Sequence, residues 1–188
     1  MPQSAEVRGL LALMLLHESR RETRLDAKDR LILLDEQDRT RWDQAKIHEG
    51  IAVLDEALAL YDPGPYQVEA AISALHSAAP TAEETDWQQI AALYGTLAVM
   101  MPSPVVEVNR TVAVAMAWGA QAGLPLLQRL DSKAKGYYPY HIAHADLLRR
   151  MNQYQAAADA YEQALALCGN SAERAYLQQR LDEMLKET

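Results

Sequence analysis

The chain is expected to be all-α, a right-handed stack of antiparallel helix hairpins about nine helices long. Three observations predict this. Apolar residues recur at spacings of three and four through nearly all of the 188 residues, the period of one helix face. Proline and glycine interrupt that pattern at intervals, at Pro63-Gly64-Pro65, Pro80, Pro102, Gly119 and Gly169, where a helix cannot easily continue. Tyr94 and Tyr161 lie 67 residues apart (161 − 94), and each stands eight residues before a breaker, Pro102 and Gly169. That separation is close to two helical-hairpin repeats of about 34 residues.

The elements follow in order. A first helix is expected over about Ser4 to Arg21, with Leu10, Leu13, Met14 and His17 on one face. Asp26 to Arg39 breaks the pattern. Leu31 to Leu34 there reads as a strand-like turn in an ordered loop, since a lone extended piece makes no sheet. A second helix spans about Arg41 to Tyr61, with Ile47, Ile51, Leu54, Leu58 and Tyr61 as its stripe. A third runs from Tyr66 to Ala79. A fourth, capped by Thr85 or Asp86, runs to Met101. Ser103-Pro104 is a start signal, because Ser caps and Pro at the first position forfeits no bond. It opens a fifth helix ending at Trp118. Gly119 and Gly123 mark a tight turn into a short sixth that ends near Leu130. Asp131 to Gly136 reads as a polar linker. Helices then follow over about Tyr138 to Met151, Tyr154 to Leu167 and Ala172 to Lys186, the last capped by Ser171.

The period makes the stack TPR-like (tetratricopeptide-like). Its best unit is Tyr140 to Gly169, where Ala145, Ala157, Tyr161 and Ala164 supply the small, small, aromatic, small pattern that lets two helices approach closely. One unit cannot bury its own face, so neighbours must stack. The last helix, with Gln178, Gln179, Arg180 and Glu183, reads as a solvating cap. The chain is therefore expected to be a single domain in three blocks: 1–62 with the charged loop, 63–137 with repeat-like hairpins, and 138–188 with the best unit and the cap.

Three segments carry a resemblance to a known family. They are Gly64-Pro65-Tyr66-Gln67-Val68-Glu69 through His76, Asp86-Trp87-Gln88-Gln89 through Tyr94, and Pro102-Ser103-Pro104 through Glu107, Asn109, Arg110 and Ala115. In this order they resemble the C-terminal, tetratricopeptide-like extension of one subgroup of extracytoplasmic-function (ECF) RNA polymerase sigma factors. The charged segment His17–Asp43 resembles it too, so the likeness covers nearly the whole chain. The family's core-binding and promoter-binding domains are not recognised in these residues, and no basic helix-turn-helix is present. The resemblance implies a regulatory or protein-interaction domain whose partners are the sigma domains or RNA polymerase. The alternative is a free-standing TPR-like adaptor for a peptide or protein.

Charge agrees with a protein partner. Eighteen basic and 26 acidic residues give a net charge of -8, which disfavours direct contact with nucleic acid. From Ile51 to Val106 there are seven acidic residues and no Lys or Arg, a stretch suited to a basic partner or simply to solvation. One cysteine, Cys168, excludes an intrachain disulfide, and its place at a helix C-terminus disfavours a thiolate. A cytoplasmic protein is expected, since no apolar run is long enough to span a bilayer.

No nucleophile elbow or phosphate loop is present, so no enzyme activity and no cofactor are expected. Five scattered histidines make no metal site; His141 and His144 share a face but lack a third ligand. Trp42, Trp87 and Trp118 read as packing anchors. The candidate interaction or network residues fall in two groups. Tyr66, Gln67, Glu107, Asn109 and Arg110 are taken as groove or inter-helix polar positions, with Gly64 and Pro65 shaping the turn that presents Tyr66. His17, Arg20, Arg21, Asp35, Asp38, Arg39 and Trp42 belong to a densely charged segment. There, arginine forks are expected to pair with carboxylates, either as a network pinning the loop or as a protein or ligand contact. Exposed Leu10, Leu11 and Leu13 on the first helix are expected to favour homodimers.

Overall fold

The computed structural model describes residues 4–27, 31–130 and 132–187. Met1 to Gln3, the charged-loop residues Lys28, Asp29 and Arg30, and the linker residue Asp131 lie outside them. Among the described residues the chain is helical without strands, as the apolar periodicity requires. It divides into two compact units, Met1–Asp26 with Ile32–Met101, and Ala27–Leu31 with Pro102–Thr188. The division at Pro102 falls inside the 63–137 block.

The first unit holds α1 (Ala5–Glu18), α2 (Gln44–Leu58), α3 (Pro65–Ala78) and α4 (Trp87–Met100). Helix α1 lies against both α2 and α3. This arrangement corrects the expected stripe. The buried face of α1 is Ala5, Gly9, Ala12 and Leu16, whereas Leu10, Leu11 and Met14 are exposed. A helix wedged between two others needs small residues where the backbones approach. A Cβ on Gly9 would stand 2.8 Å from the Gln67 backbone nitrogen, and one on Gly50 would stand 2.9 Å from Leu16. Ala12, Leu54 and Ala70 meet in one cluster, and Leu16, Trp42 and Ile47 in another.

Helix α2 begins where Asp43 accepts the Lys46 N–H at 3.1 Å. It ends earlier than its stripe suggests. Leu58 is exposed, and Tyr61 is exposed with φ at 52°, in the left-handed turn that follows the helix. Asp86 caps α4 by accepting the Gln89 N–H at 2.9 Å, and the alternative cap, Thr85, is instead buried. The loop between α1 and α2 contains two 3₁₀ turns, Arg21–Thr23 and Arg39–Arg41. The Leu31–Leu34 run contributes one extended contact, the Ile32 N–H donating to the Arg24 carbonyl at 2.9 Å.

The second unit holds α5 (Pro104–Trp118), α6 (Ala120–Gln128), the single turn α7 (Ser132–Lys135), α8 (Tyr138–Arg150), α9 (Tyr154–Leu167) and α10 (Ser171–Glu187). Ser103 caps α5 through the Val106 N–H at 3.2 Å, and Pro104 takes the first helical position. Gly119 makes the α5–α6 turn with φ at 93°. Gly123 does not belong to that turn; it sits inside α6, where the helix closes onto α5. A Cβ there would stand 2.7 Å from Ala115 Cβ and 3.0 Å from the Thr111 carbonyl oxygen. Gly123→Ala is therefore expected to lose about 2 kcal/mol in denaturant unfolding, despite its better helix propensity. An unchanged midpoint would mean that α6 moves off α5 at no cost.

The segment expected to be a polar linker contains α7, with Ala134 buried against Leu127, Val108 and Tyr140. The hairpin of α8 and α9 packs as its small residues predict. Ala145, Ala157, Tyr161 and Ala164 are all buried, in one core with Leu177, Leu181 and Met184 of α10. Asn170, not Ser171, caps α10, its Oδ1 accepting the Glu173 N–H at 3.2 Å. Trp42 is a packing anchor at 3% exposure, whereas Trp118 is 56% exposed at the end of α5. Cys168 is buried at the end of α9.

Candidate functional site

In the first unit the charged segment gathers around the C-terminal ends of α1 and α3. Trp42 is its centre. The indole N–H donates to Thr23 Oγ1 at 3.0 Å, and Thr23 has the Arg20 carbonyl (3.0 Å) and the Gln37 amide (3.2 Å) as acceptors for its own proton. The Asp43 N–H donates to the Ser19 carbonyl at 2.8 Å, fastening the start of α2 to the end of α1.

Among the described residues, Arg24 and Arg39 donate to carbonyls and a hydroxyl and do not make the carboxylate forks expected of them. Arg39 donates from Nη1 to the His76 and Ala79 carbonyls, at 2.7 and 2.8 Å, and from Nη2 to Thr85 Oγ1 at 3.2 Å. Its guanidinium carbon lies 5.0 Å from the centre of the Trp42 ring. Arg24 donates to the His17 carbonyl at 2.7 Å. Both therefore serve helix ends, where the last carbonyls lack partners and carry partial negative charge. Arg21 is exposed and pairs with Glu18 at 3.2 Å. Asp38 caps the second 3₁₀ turn through the Thr40 N–H at 3.0 Å and hydroxyl at 2.6 Å. These bonds hold its carboxyl below the usual range. Asp35 is exposed and acts on Arg39 only through its charge.

His17 and His76 lie beside these cations. His17 Nε2 is 3.2 Å from Ser73 Oγ, and the His76 ring meets Trp87 edge-on at 5.1 Å. Burial, then the charges of Arg20 and Arg24, lowers His17 to about 4. Burial, then Arg20 and Arg39, lowers His76 to about 4. Both rings are neutral at neutral pH.

Tyr66 and Gln67 belong to a separate clasp at the other end of α3. Glu6 of α1 accepts the backbone N–H of Tyr66 at 3.2 Å and of Gln67 at 3.3 Å, a carboxylate on a helix N-terminus. Gln67 is buried and donates to the Asp62 carbonyl at 2.7 Å, so it holds the clasp and faces no groove. Gly64 has extended backbone, and a Cβ there would collide with the Glu6 carboxyl. Its role is to admit Glu6, not to turn the chain. Tyr66 is exposed.

In the second unit Glu107 and Arg110, 3.6 Å apart, line an open groove of about 550 Å³. Its walls include Pro104, Leu126, Leu130 and Arg129. Asn109 is exposed on α5 and lies outside this lining. Glu6, Thr23 and His76 were not among the candidate site residues, because each meets a partner far away in sequence. His141 is engaged by the Lys135 carbonyl at 2.8 Å and Asp146 by Arg149 and Arg150. Among the described residues no group of three metal-ligating side chains forms, and no helix is long and apolar enough to cross a membrane.

Residues 1–58 match the model of a family of unknown function (DUF6596). The matched stretch contains α1, α2, Arg20, Arg39 and Trp42. An uncharacterized protein of Rhizobium meliloti (strain 1021) is 41% identical over 186 residues, covering 99% of this chain and 44% of its own length. The chain thus spans less than half of that relative. No solved structure matches.

Proposed function

We propose that this chain is the regulatory, protein-interaction domain of an ECF sigma factor, docking on the sigma domains or on RNA polymerase and controlling whether they engage. The observation that carries this reading is the outer face of α1. Val7, Leu10, Leu11 and Met14, at i, i+3, i+4 and i+7, are 54%, 37%, 47% and 61% exposed. A helix that buries glycine and alanine while presenting such a stripe outward is built to be covered by a partner.

Two further features support it. Of the seven acidic residues between Ile51 and Val106, all but Glu69 are exposed, a surface suited to a basic partner such as a promoter-binding domain. The Rhizobium relative is more than twice the matched length, so there the helical region sits beside other sequence. The resemblance to the sigma-factor extension supplies the name of that sequence.

The test is Leu11→Glu with Met14→Glu in the polypeptide that joins this chain to sigma domains. Promoter-specific transcript is expected to change at least about tenfold, the effect of losing a buried interface anchor, with the melting temperature unchanged. Unchanged transcript from a folded variant, or a gene lacking sigma domains, would sink the reading. The groove by Arg110 and Arg129 favours the second reading, an adaptor that seats an acidic peptide against apolar walls.

A further inference from the structure

Arg20, at the end of α1, is half-buried. Its guanidinium donates no hydrogen bond and meets no carboxylate at ion-pair distance among the described residues, and its nitrogens are not sealed from solvent. The charged groups acting on it are Arg24 and Arg39, with the Tyr94 phenol. Asp35 and Glu83 act on Arg39 instead. A half-buried guanidinium that water reaches and no carboxylate matches is open to an anion from solution.

The surroundings are preset for an anion. Arg24 and Arg39 are held by carbonyls at 2.7 and 2.8 Å, which fixes their positions without cancelling their full charges. His76 Nδ1 is buried without a partner. His17 stands against Ser73, 3.2 Å from its hydroxyl. Around the ends of α1 and α3 the chain thus gathers Arg24 and Arg39, fixed on carbonyls, with His17 and His76, and an unpaired guanidinium fork beside them suits a planar pair of oxyanion oxygens.

We propose that Arg20, flanked by Arg24, Arg39, His17 and His76, is a binding site for a small phosphate-type oxyanion. The site takes either free phosphate or the phosphate group of a small metabolite. It is separate from the α1 stripe and does not rest on the sigma-factor reading.

Calorimetric titration of the intact chain with inorganic phosphate and with glycerol 3-phosphate, at matched ionic strength, tests it. Saturable binding is expected. Equal affinities assign the site to the free ion, and tighter binding of the ester assigns it to a phosphorylated metabolite. Arg20→Gln is expected to bind at least about tenfold more weakly, while Arg150→Gln, on α8 and paired with Asp146, binds as the wild type does. Arg20→Lys keeps the charge, loses the fork, and is expected to bind several-fold more weakly; it carries the test if Arg20→Gln does not fold. In NMR titrations phosphate should shift the His17 and His76 ring signals and leave His48 unmoved. Heats that do not saturate, or equal affinity in wild type and both Arg20 variants, would overturn the proposal.

Discussion

Arg39→Ala is expected to destabilise the protein by about 3 kcal/mol, the sum of charge-assisted bonds to two helix-end carbonyls and a contact with a buried indole, less the desolvation that the side chain now bears. The reason lies in what one guanidinium joins. Its two bonds to the His76 and Ala79 carbonyls close the C-terminal end of α3, its bond to Thr85 ties down the approach to α4, and its face covers Trp42. Removing it leaves carbonyls unpaired next to a buried tryptophan. Arg39→Lys should recover little, since an ammonium on a flexible stem cannot bridge the same three acceptors and stack as well. Arg21→Ala is the control. Among the described residues that exposed arginine pairs with Glu18, and such pairs contribute at most about 1 kcal/mol. Urea unfolding of the three variants decides the matter. If Arg39→Ala falls within the Arg21→Ala range, the arginine decorates the helix end and does not hold it.

What the sequence disclosed follows from which physical signals are local. Helix starts were legible wherever the cap is a neighbour in the chain, as at Ser103-Pro104 and Asp86. The α8–α9 hairpin was legible because small residues at helical spacing have one use, close packing. Helix α1 was misread because its leucines form a better stripe than its core does. The true core face, Ala5, Gly9, Ala12 and Leu16, is marked by size and not by hydrophobicity. Gly64 and Gly123 were read as turn formers, the usual reading of glycine. Each is instead demanded by a neighbour, Glu6 from 58 residues upstream (64 − 6) and Ala115 from the preceding helix. In the charged segment the partners of Arg24 and Arg39 were not legible. Mixed charge in sequence suggests ion pairs, whereas the folded chain aims Arg24 and Arg39 at carbonyls of helix ends that exist only once the helices are in place.

The same placement makes stability depend on pH in a range where carboxylates do little. His17 faces Arg20, Arg24 and Ser73, while His76 faces Arg20, Arg39 and Trp87. Each is held at about 4, against 6.5 for an unfolded chain. Between those values the unfolded state binds more protons than the folded one, so stability is complete above about 6.5, falls as pH drops, and levels off below about 4. At pH 5 the expected loss is about 2 kcal/mol from His76 and about half that from His17, which is more exposed and better screened. Glu69 opposes the trend, since burial and the nearby Glu6 raise its pKa. Asp38 and Asp43 are held below their usual range by hydrogen bonds and join only at lower pH. Urea unfolding between pH 7 and 5 should therefore show a steep loss that His76→Gln more than halves. A flat wild-type profile, or a slope that survives when both histidines are replaced, would sink this account. Phosphate supplies the discriminating condition. An oxyanion held by Arg20 offsets the cations that keep both rings neutral, so the loss between pH 7 and 5 should be shallower in phosphate than in chloride, and equally steep in both for Arg20→Gln.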